Sequence, residues 1–298
     1  ATETQLGMTI NARNLELMIR RLKALPLAEA RLCAEKLYAA TRDITPSLIR
    51  YTQATNYDRL TRESLRAFCA GLSGGKARRS SMSVRLVWAT PDADIRAAAA
   101  LIFSSSGVSY DQAMAQVSRM SPRSAKILFK KAFENMQPFD AALREIENVD
   151  LLFELVVSAS CFAQLKRHRM ATLISQDYHP ALGVTVPPAV HAIGRQKEFM
   201  AMIRTTNSVY ERIHQKSPAA AAYVLTNAHR KRVLLKLNAR EMYHFARLRA
   251  DAHAQWDIRE LSEKMLAQAR KVLPLTLMMA CGKDHYAEQR KKHFPKTA

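Results

Sequence analysis

Apolar residues recur at helical spacing along most of the chain. Between Asn11 and Thr41 they fall every three or four positions, interrupted by Pro26, which predicts helix on both sides of a break. Ser121-Pro122 predicts a helix through Phe133, and Ser217-Pro218 one through about residue 229. In both, the Ser side chain caps the first turn, and Pro fits where an N–H would have no partner. Thr90-Pro91-Asp92 repeats the signature, with Thr90 as cap and Pro91 in the first turn of a helix through about residue 103. Residues 195–215 are amphipathic, and 237–272 reads as one long helical region ending before Pro274. Alternation of period two is rarer. It predicts a strand at 84–88, a segment at 150–165 that begins as strand and ends as helix, and a short strand at 184–187. The fold class is α+β, dominated by helix.

The two ends of the chain resemble each other. Asn11-Ala12-Arg13 leads through helix to Pro46, and Asn238-Ala239-Arg240 leads through helix to Pro274 at almost the same separation. A duplication follows, in which residues 1–50 are the C-terminal end of a first copy. Residues 51–83 read as a linker, most clearly at LSGGKARRSSMS (72–83). The main domain is then 84–280, and 281–298 a solvated basic tail. With no initiator Met and a headless first copy, the chain reads as a piece of a longer protein.

Composition narrows the function. A hydrophobic fraction of 48% rules out wholesale disorder. The chain holds 46 Lys and Arg against 26 Asp and Glu, a net charge of +20, so its partners are expected to be anionic. Only 7% of residues are aromatic, few for stacking single-stranded nucleic acid, so nucleic acid ranks behind nucleotides and phosphorylated cofactors. No uncharged apolar stretch of about 18 residues exists to span a membrane. Cys33, Cys69, Cys161 and Cys281 form no CxxC pair, which points to a reducing, cytoplasmic compartment and away from a disulfide scaffold. Cys281, His285 and His293 lack zinc spacing, and no metal is expected.

Two constellations could carry chemistry. In Gln164-Leu-Lys-Arg167-His168-Arg169 the guanidiniums could grip phosphate oxygens while His168 adds a switchable donor. The plainer reading is a solvated basic turn. On one helix, Arg249, His253 and Trp256 would share a face, beside Arg240, His244, Arg247 and Asp251 on the next. Such a helix is either solvated, with Arg247–Asp251 as a salt pair, or lines a wet cleft.

The segments AQLKRHRMAT (163–172), VTVPP (184–188) and LNAREMYHFARLRADAHAQWDIRELS (237–262) together resemble the flavin-dependent thymidylate synthases. LRADAHAQWDI follows the family pattern over eleven consecutive residues, and the resemblance covers about 84–280. It implies a small antiparallel sheet among helices and a homo-oligomer, either a tetramer or a dimer of tandem copies, with active sites between subunits. It also implies FAD as cofactor, with NADPH and methylenetetrahydrofolate as co-substrates, and the reductive methylation of dUMP to dTMP. By the same resemblance Arg167, His168, Arg169, Asn238, Arg240, His244 and His253 contact FAD, and Gln164, Ser175 and Asp177 face the nucleotide. Arg249 would be the catalytic residue, holding the uracil and stabilising charge that develops on its ring.

The departures cluster on the nucleotide's phosphate side. Where the family runs RHRxxSxNExSxRY, this chain has Thr172, Ile174, Ser175, Asp177, His179 and Pro180. Glu147-Asn148 replaces a Glu-His, His244 an Asn, and Ala222-Tyr223-Val224-Leu225-Thr226 lacks an expected Arg. Each lost Arg removes a charge-assisted bond worth roughly 1.5–3 kcal/mol. In the first copy Leu22 falls opposite Arg249 and Pro26 opposite His253, so that copy has no site. Two alternatives therefore stand beside the synthase. One is a family member that binds FAD or a nucleotide without synthase activity. The other is a basic scaffold that binds nucleic acid on the same fold.

Overall fold

The computed structural model describes residues 5–72 and 84–295 and divides into two compact units, Ala1–Lys76 with Ser208–Val224, and Ala77–Asn207 with Leu225–Ala298.

In the first unit, α1 (Ala12–Ala24) and α2 (Ala28–Thr41) are separated at Pro26, as its missing N–H dictates. Leu15, Ile19, Ala34 and Ile49 form their shared core. The third helix, α3 (Asn56–Leu72), occupies most of the stretch read as linker, whose residues 73–83 lie outside the described residues.

The second unit is built on a four-stranded antiparallel sheet ordered β1-β2-β4-β3, from β1 (Val84–Ala89), β2 (Asp150–Ser158), β3 (Thr172–Ser175) and β4 (Arg230–Asn238). The long central pair aligns Phe153 with Leu235 and Leu151 with Leu237, all buried. Strands 1 and 2 stand where the alternation put them, whereas 184–187 makes only an isolated bridge between Val184 and His229. Pro187 and Pro188 have no N–H to extend a ladder.

Between β1 and β2 run α4 (Ala93–Ser105), α5 (Tyr110–Ser118) and α6 (Pro122–Phe133). Ser121 caps α6 with Pro122 in its first turn, as expected. Helix α4 departs from expectation, since its cap is Asp92 at φ 50° rather than Thr90. The Thr90 hydroxyl instead accepts from Asp150 N–H at 2.9 Å, tying the turn to β2. After β2 come α7 (Ala159–Leu165), β3, α8 (Pro188–Ala192) and α9 (Gln196–Lys216). Helix α10 (Pro218–Ala221) ends after one turn and a short 3-10 segment, well before residue 229. There Tyr223 donates its hydroxyl to Glu29 within the first unit.

The region 237–272 is not one helix. Strand β4 runs to Asn238, α11 (Ala239–Arg249) follows, and residues 250–255 break the chain before α12 (Trp256–Val272). The tail is also structured: α13 (Tyr286–His293) buries Tyr286, whose hydroxyl donates to Met136 O. The core lies between the sheet and α11–α12, around Phe153, Met242, Phe245, Ile258, Leu261 and Met265.

Strand β1 is at the sheet edge, and Gln268 of α12 covers it. Its side-chain amide donates to Val84 O at 3.0 Å and accepts from Leu86 N–H at 2.6 Å.

The two Asn-Ala-Arg segments fold alike. Glu16, the fifth residue after Asn11, accepts from Tyr51 N–H at 2.8 Å, and Tyr51 is the fifth after Pro46. Tyr243, the fifth after Asn238, accepts from Met279 N–H at 3.3 Å, and Met279 is the fifth after Pro274.

Candidate active site

Helix α11 starts where Asn238 accepts from Glu241 N–H, and this cap fixes the first turn. Asn238-Ala-Arg-Glu241 is the spacing of a capping box, in which Glu would fold back on the cap residue. Here the Glu241 carboxylate points elsewhere, to His168 Nδ1 at 3.0 Å. His168 sits in the loop after α7, its ring edge-on to Phe245 at 4.6 Å between centroids. At the far end of α11, Arg249 Nε donates to His168 Nε2 at 3.1 Å, and its NH1 donates to Gln164 Oε1 at 3.3 Å. Gln164 Nε2 donates in turn to Gln255 Oε1 at 3.4 Å, and that same oxygen caps α12.

The relay is thus Glu241, His168, Arg249, Gln164 and Gln255. Among the described residues, both groups bonded to Arg249 are neutral amide or imidazole, so its half-buried charge is oriented without being cancelled by a carboxylate. His168, Glu241 and His244 offer ligand-type atoms within 4.8 Å of one another. The Arg249 N–H occupies the His168 lone pair that a cation would need, so the cluster is a hydrogen-bond relay beside a fixed positive charge.

The structure sorts the residues singled out in the sequence. Gln164, His168 and Arg249 come together, and His244 stands beside them, its ring 5.8 Å from that of His168. Partial burial, with Arg247 and Arg249 nearby, holds the His244 imidazole below 6.5 against the opposite pull of Glu241. Arg167 and Arg169 flank His168, both exposed and, among the described residues, without an ion pair. Asn238 is spent on its cap. Arg240 is spent on Ala142 O at 2.7 Å and Glu147 at 2.8 Å. His253 is 83% exposed and bonds Asp251, beyond the end of α11, so it shares no helix face with Arg249. Arg247 donates to Phe139 O and Asp140 O rather than pairing with Asp251. Ser175 and Asp177 are exposed at and beyond the end of β3. Asp177 faces Lys231, a buried ammonium 4.2 and 4.4 Å from the ring centres of Phe162 and Tyr178. Burial pulls Lys231 below its usual value, against the pull of Asp177.

Glu241 and Gln255 were missed. Glu241 stands three residues after Asn238, the spacing of an ordinary cap, and Gln255 is one letter of LRADAHAQWDI; only the tertiary fold carries them to His168 and Gln164.

Beside the relay lies a cavity of about 260 Å³, lined by Asn238, Arg240, Glu241 and His244 together with Met170, Tyr243, Met279 and Tyr286. Gly282 closes it by pressing on the end of α11, where an added Cβ would meet Ala250 O at 2.1 Å. The Cys281 thiol in its wall is pushed up to about 11 by burial, and burial raises Cys161 further, so neither is a ready nucleophile.

The sequence profile of the thymidylate synthase complementing protein family (Thy1) matches residues 85–275, which contain the whole relay. The chain belongs to this family. It is a divergent member of this thymidylate synthase complementing family, as similarity to individual proteins shows. A UPF0159 protein of Chlamydia pneumoniae is 23% identical over 284 residues, which make up 92% of this chain and 54% of that protein. The flavin-dependent thymidylate synthase of Halobacterium salinarum is 33% identical over 153 residues, 40% of this chain and 62% of the enzyme. The chain spans about half the length of the UPF0159 relatives it matches. A crystal structure of the UMP/dUMP methylase PolB from Streptomyces cacaoi, bound with 5-Br dUMP, shares the fold. Its TM-score is 0.55 at 18% identity, covering 70% of this chain and 99% of that one. Met279, Cys281, Gly282 and Tyr286 of the cavity wall lie beyond the residues that the family profile matches. Among the described residues no helix is long and apolar enough to cross a membrane.

Proposed function

We infer that the chain binds a uracil nucleotide at Arg249 and is a flavin-dependent thymidylate synthase homologue, methylating dUMP to dTMP with methylenetetrahydrofolate and NADPH. One observation carries this reading: Arg249 is held by two neutral acceptors, so a half-buried guanidinium is aimed and still available to an anion. Charge developing on a pyrimidine ring during reduction would be stabilised by such a preorganised cation.

The residues present fit a flavin in part. Arg167 and Arg169 are free to meet an anionic cofactor, and the cavity beside His168 offers apolar walls at Met170, Tyr243 and Met279. Asn238 and Arg240 are committed to α11 and Glu147, so Arg167, Arg169, His168 and His244 would hold FAD. Bound there, it would supply hydride transfer from NADPH. The chain's own residues bind and orient.

Two observations favour a second reading, a family member that binds flavin or nucleotide without synthase activity. Asp177 is acidic where a nucleotide phosphate would approach, and Lys231 nearby is enclosed by two rings. The matching bonds of Glu16 and Tyr243 support residues 1–50 as the tail of a synthase-like copy, and a homo-oligomer of such chains is part of the proposal.

An absorbance titration with FAD and then dUMP tests this. Flavin bands that shift on adding dUMP support the synthase reading, bands blind to dUMP support the second, and no flavin bands overturn the synthase reading and the flavin-binding form of the second.

A further inference from the structure

We propose that Glu241 is a positioning residue for Arg249, acting through His168. Its carboxylate fixes the imidazole as the Nδ1–H tautomer, and this leaves Nε2 as the acceptor that aims the guanidinium at an anionic nucleotide. What Arg249 meets rests on the function proposed above; the lock itself rests on donor chemistry.

An arginine keeps its protons at any physiological pH, so in the 3.1 Å contact with Arg249 Nε the His168 Nε2 atom must accept. A neutral imidazole has one N–H, which then sits on Nδ1, 3.0 Å from Glu241. Adding a proton to Nε2 would set two N–H groups against each other. Each member therefore dictates the next.

Burial makes the carboxylate hard to replace. The His168 and Glu241 side chains are 3% and 9% exposed, which leaves little room for water to substitute. Packing of the His168 ring against Phe245 resists a flip that would exchange the two nitrogens. One helix supplies both partners of His168, Glu241 in its first turn and Arg249 at its last residue, while the loop after α7 supplies the ring between them. A carboxylate placed directly on Arg249 would hold it equally well and cancel its charge. Placing a neutral ring between them gives orientation without neutralisation.

The test uses the full chain with 15N-labelled histidine and dUMP as probe, in the wild type, Glu241→Gln and Glu241→Leu. The wild type should show His168 as the Nδ1–H tautomer. Glu241→Gln, whose Oε1 still accepts, should rescue both the tautomer and dUMP binding to within about threefold. Glu241→Leu should move the proton to Nε2 and weaken dUMP about tenfold or more. If Glu241→Leu does not fold, Glu241→Ser takes its place with the same expectation. A wild-type His168 carrying its proton on Nε2 overturns the proposal. So does a Leu or Ser variant that binds dUMP as tightly as wild type. If the wild type itself fails to bind dUMP, the nucleotide reading falls, and the tautomers of the three proteins still decide the lock.

Discussion

Asn11 and Asn238 close their helices in the same way, each side chain accepting from the backbone N–H three residues on, at 2.9 and 2.8 Å. A helix N-terminus leaves such donors without partners, and one side-chain oxygen satisfies one of them. Replacing Asn238 with Ala should cost about 1–2 kcal/mol in chemical denaturation. Asn11→Ala should cost toward the lower end, because its bond is exposed and Asn238's is half-buried.

Arg249→Gln keeps a side chain able to bond His168 and Gln164 but removes the charge. On the proposed function, dUMP affinity falls about a hundredfold while flavin absorbance persists. Arg249→Lys should not rescue it, since one ammonium cannot reproduce a planar fork spanning two acceptors and a ligand. Calorimetric titration with dUMP reads both.

How far the site could be read from sequence is clear at these residues. Gln164, His168 and Arg249 stood out because a basic cluster and a long motif are visible in one dimension. Their partner Glu241 did not, because its spacing from Asn238 is that of an ordinary cap. Helices with strong local signals were legible, and Ser121-Pro122 placed α6 to the residue. Ser217-Pro218 carries the same signal but supports only one turn of α10. Strand β4 was missed because Lys231, Arg232 and Lys236 mask its alternation, and Lys231 is buried through its rings rather than by being apolar.

Acid should weaken the fold through His229. The ring is fully buried: Nδ1 accepts from Thr226 N–H at 3.0 Å, so Nε2 donates to Asn207 Oδ1 at 2.8 Å. Burial holds its pKa below 6.5. The unfolded chain gains a proton near 6.5 that the folded state resists. Stability is therefore full above that value and is lost as pH falls through it toward the folded-state pKa. Denaturation midpoints of the wild type should drop between about pH 7.5 and 5, and His229→Gln should remove its share of that slope.

Gly282→Ala should destabilise by about 3 kcal/mol. Its φ of −61° suits any residue, so the cost is purely the collision of the new Cβ with Ala250 O at 2.1 Å. Thermal melting would show the loss. Because the same segment closes the cavity next to Tyr243 and Met279, ligand affinity should fall with it.

Gln268 gives the sheet its boundary. A strand edge is a row of donors and acceptors that any extended chain can join, and such an edge invites self-association. One primary amide, holding Val84 O and Leu86 N–H, imitates the peptide group that a fifth strand would bring. Helix α12 thus acts as a selvedge, ending the weave of the sheet with a single side chain.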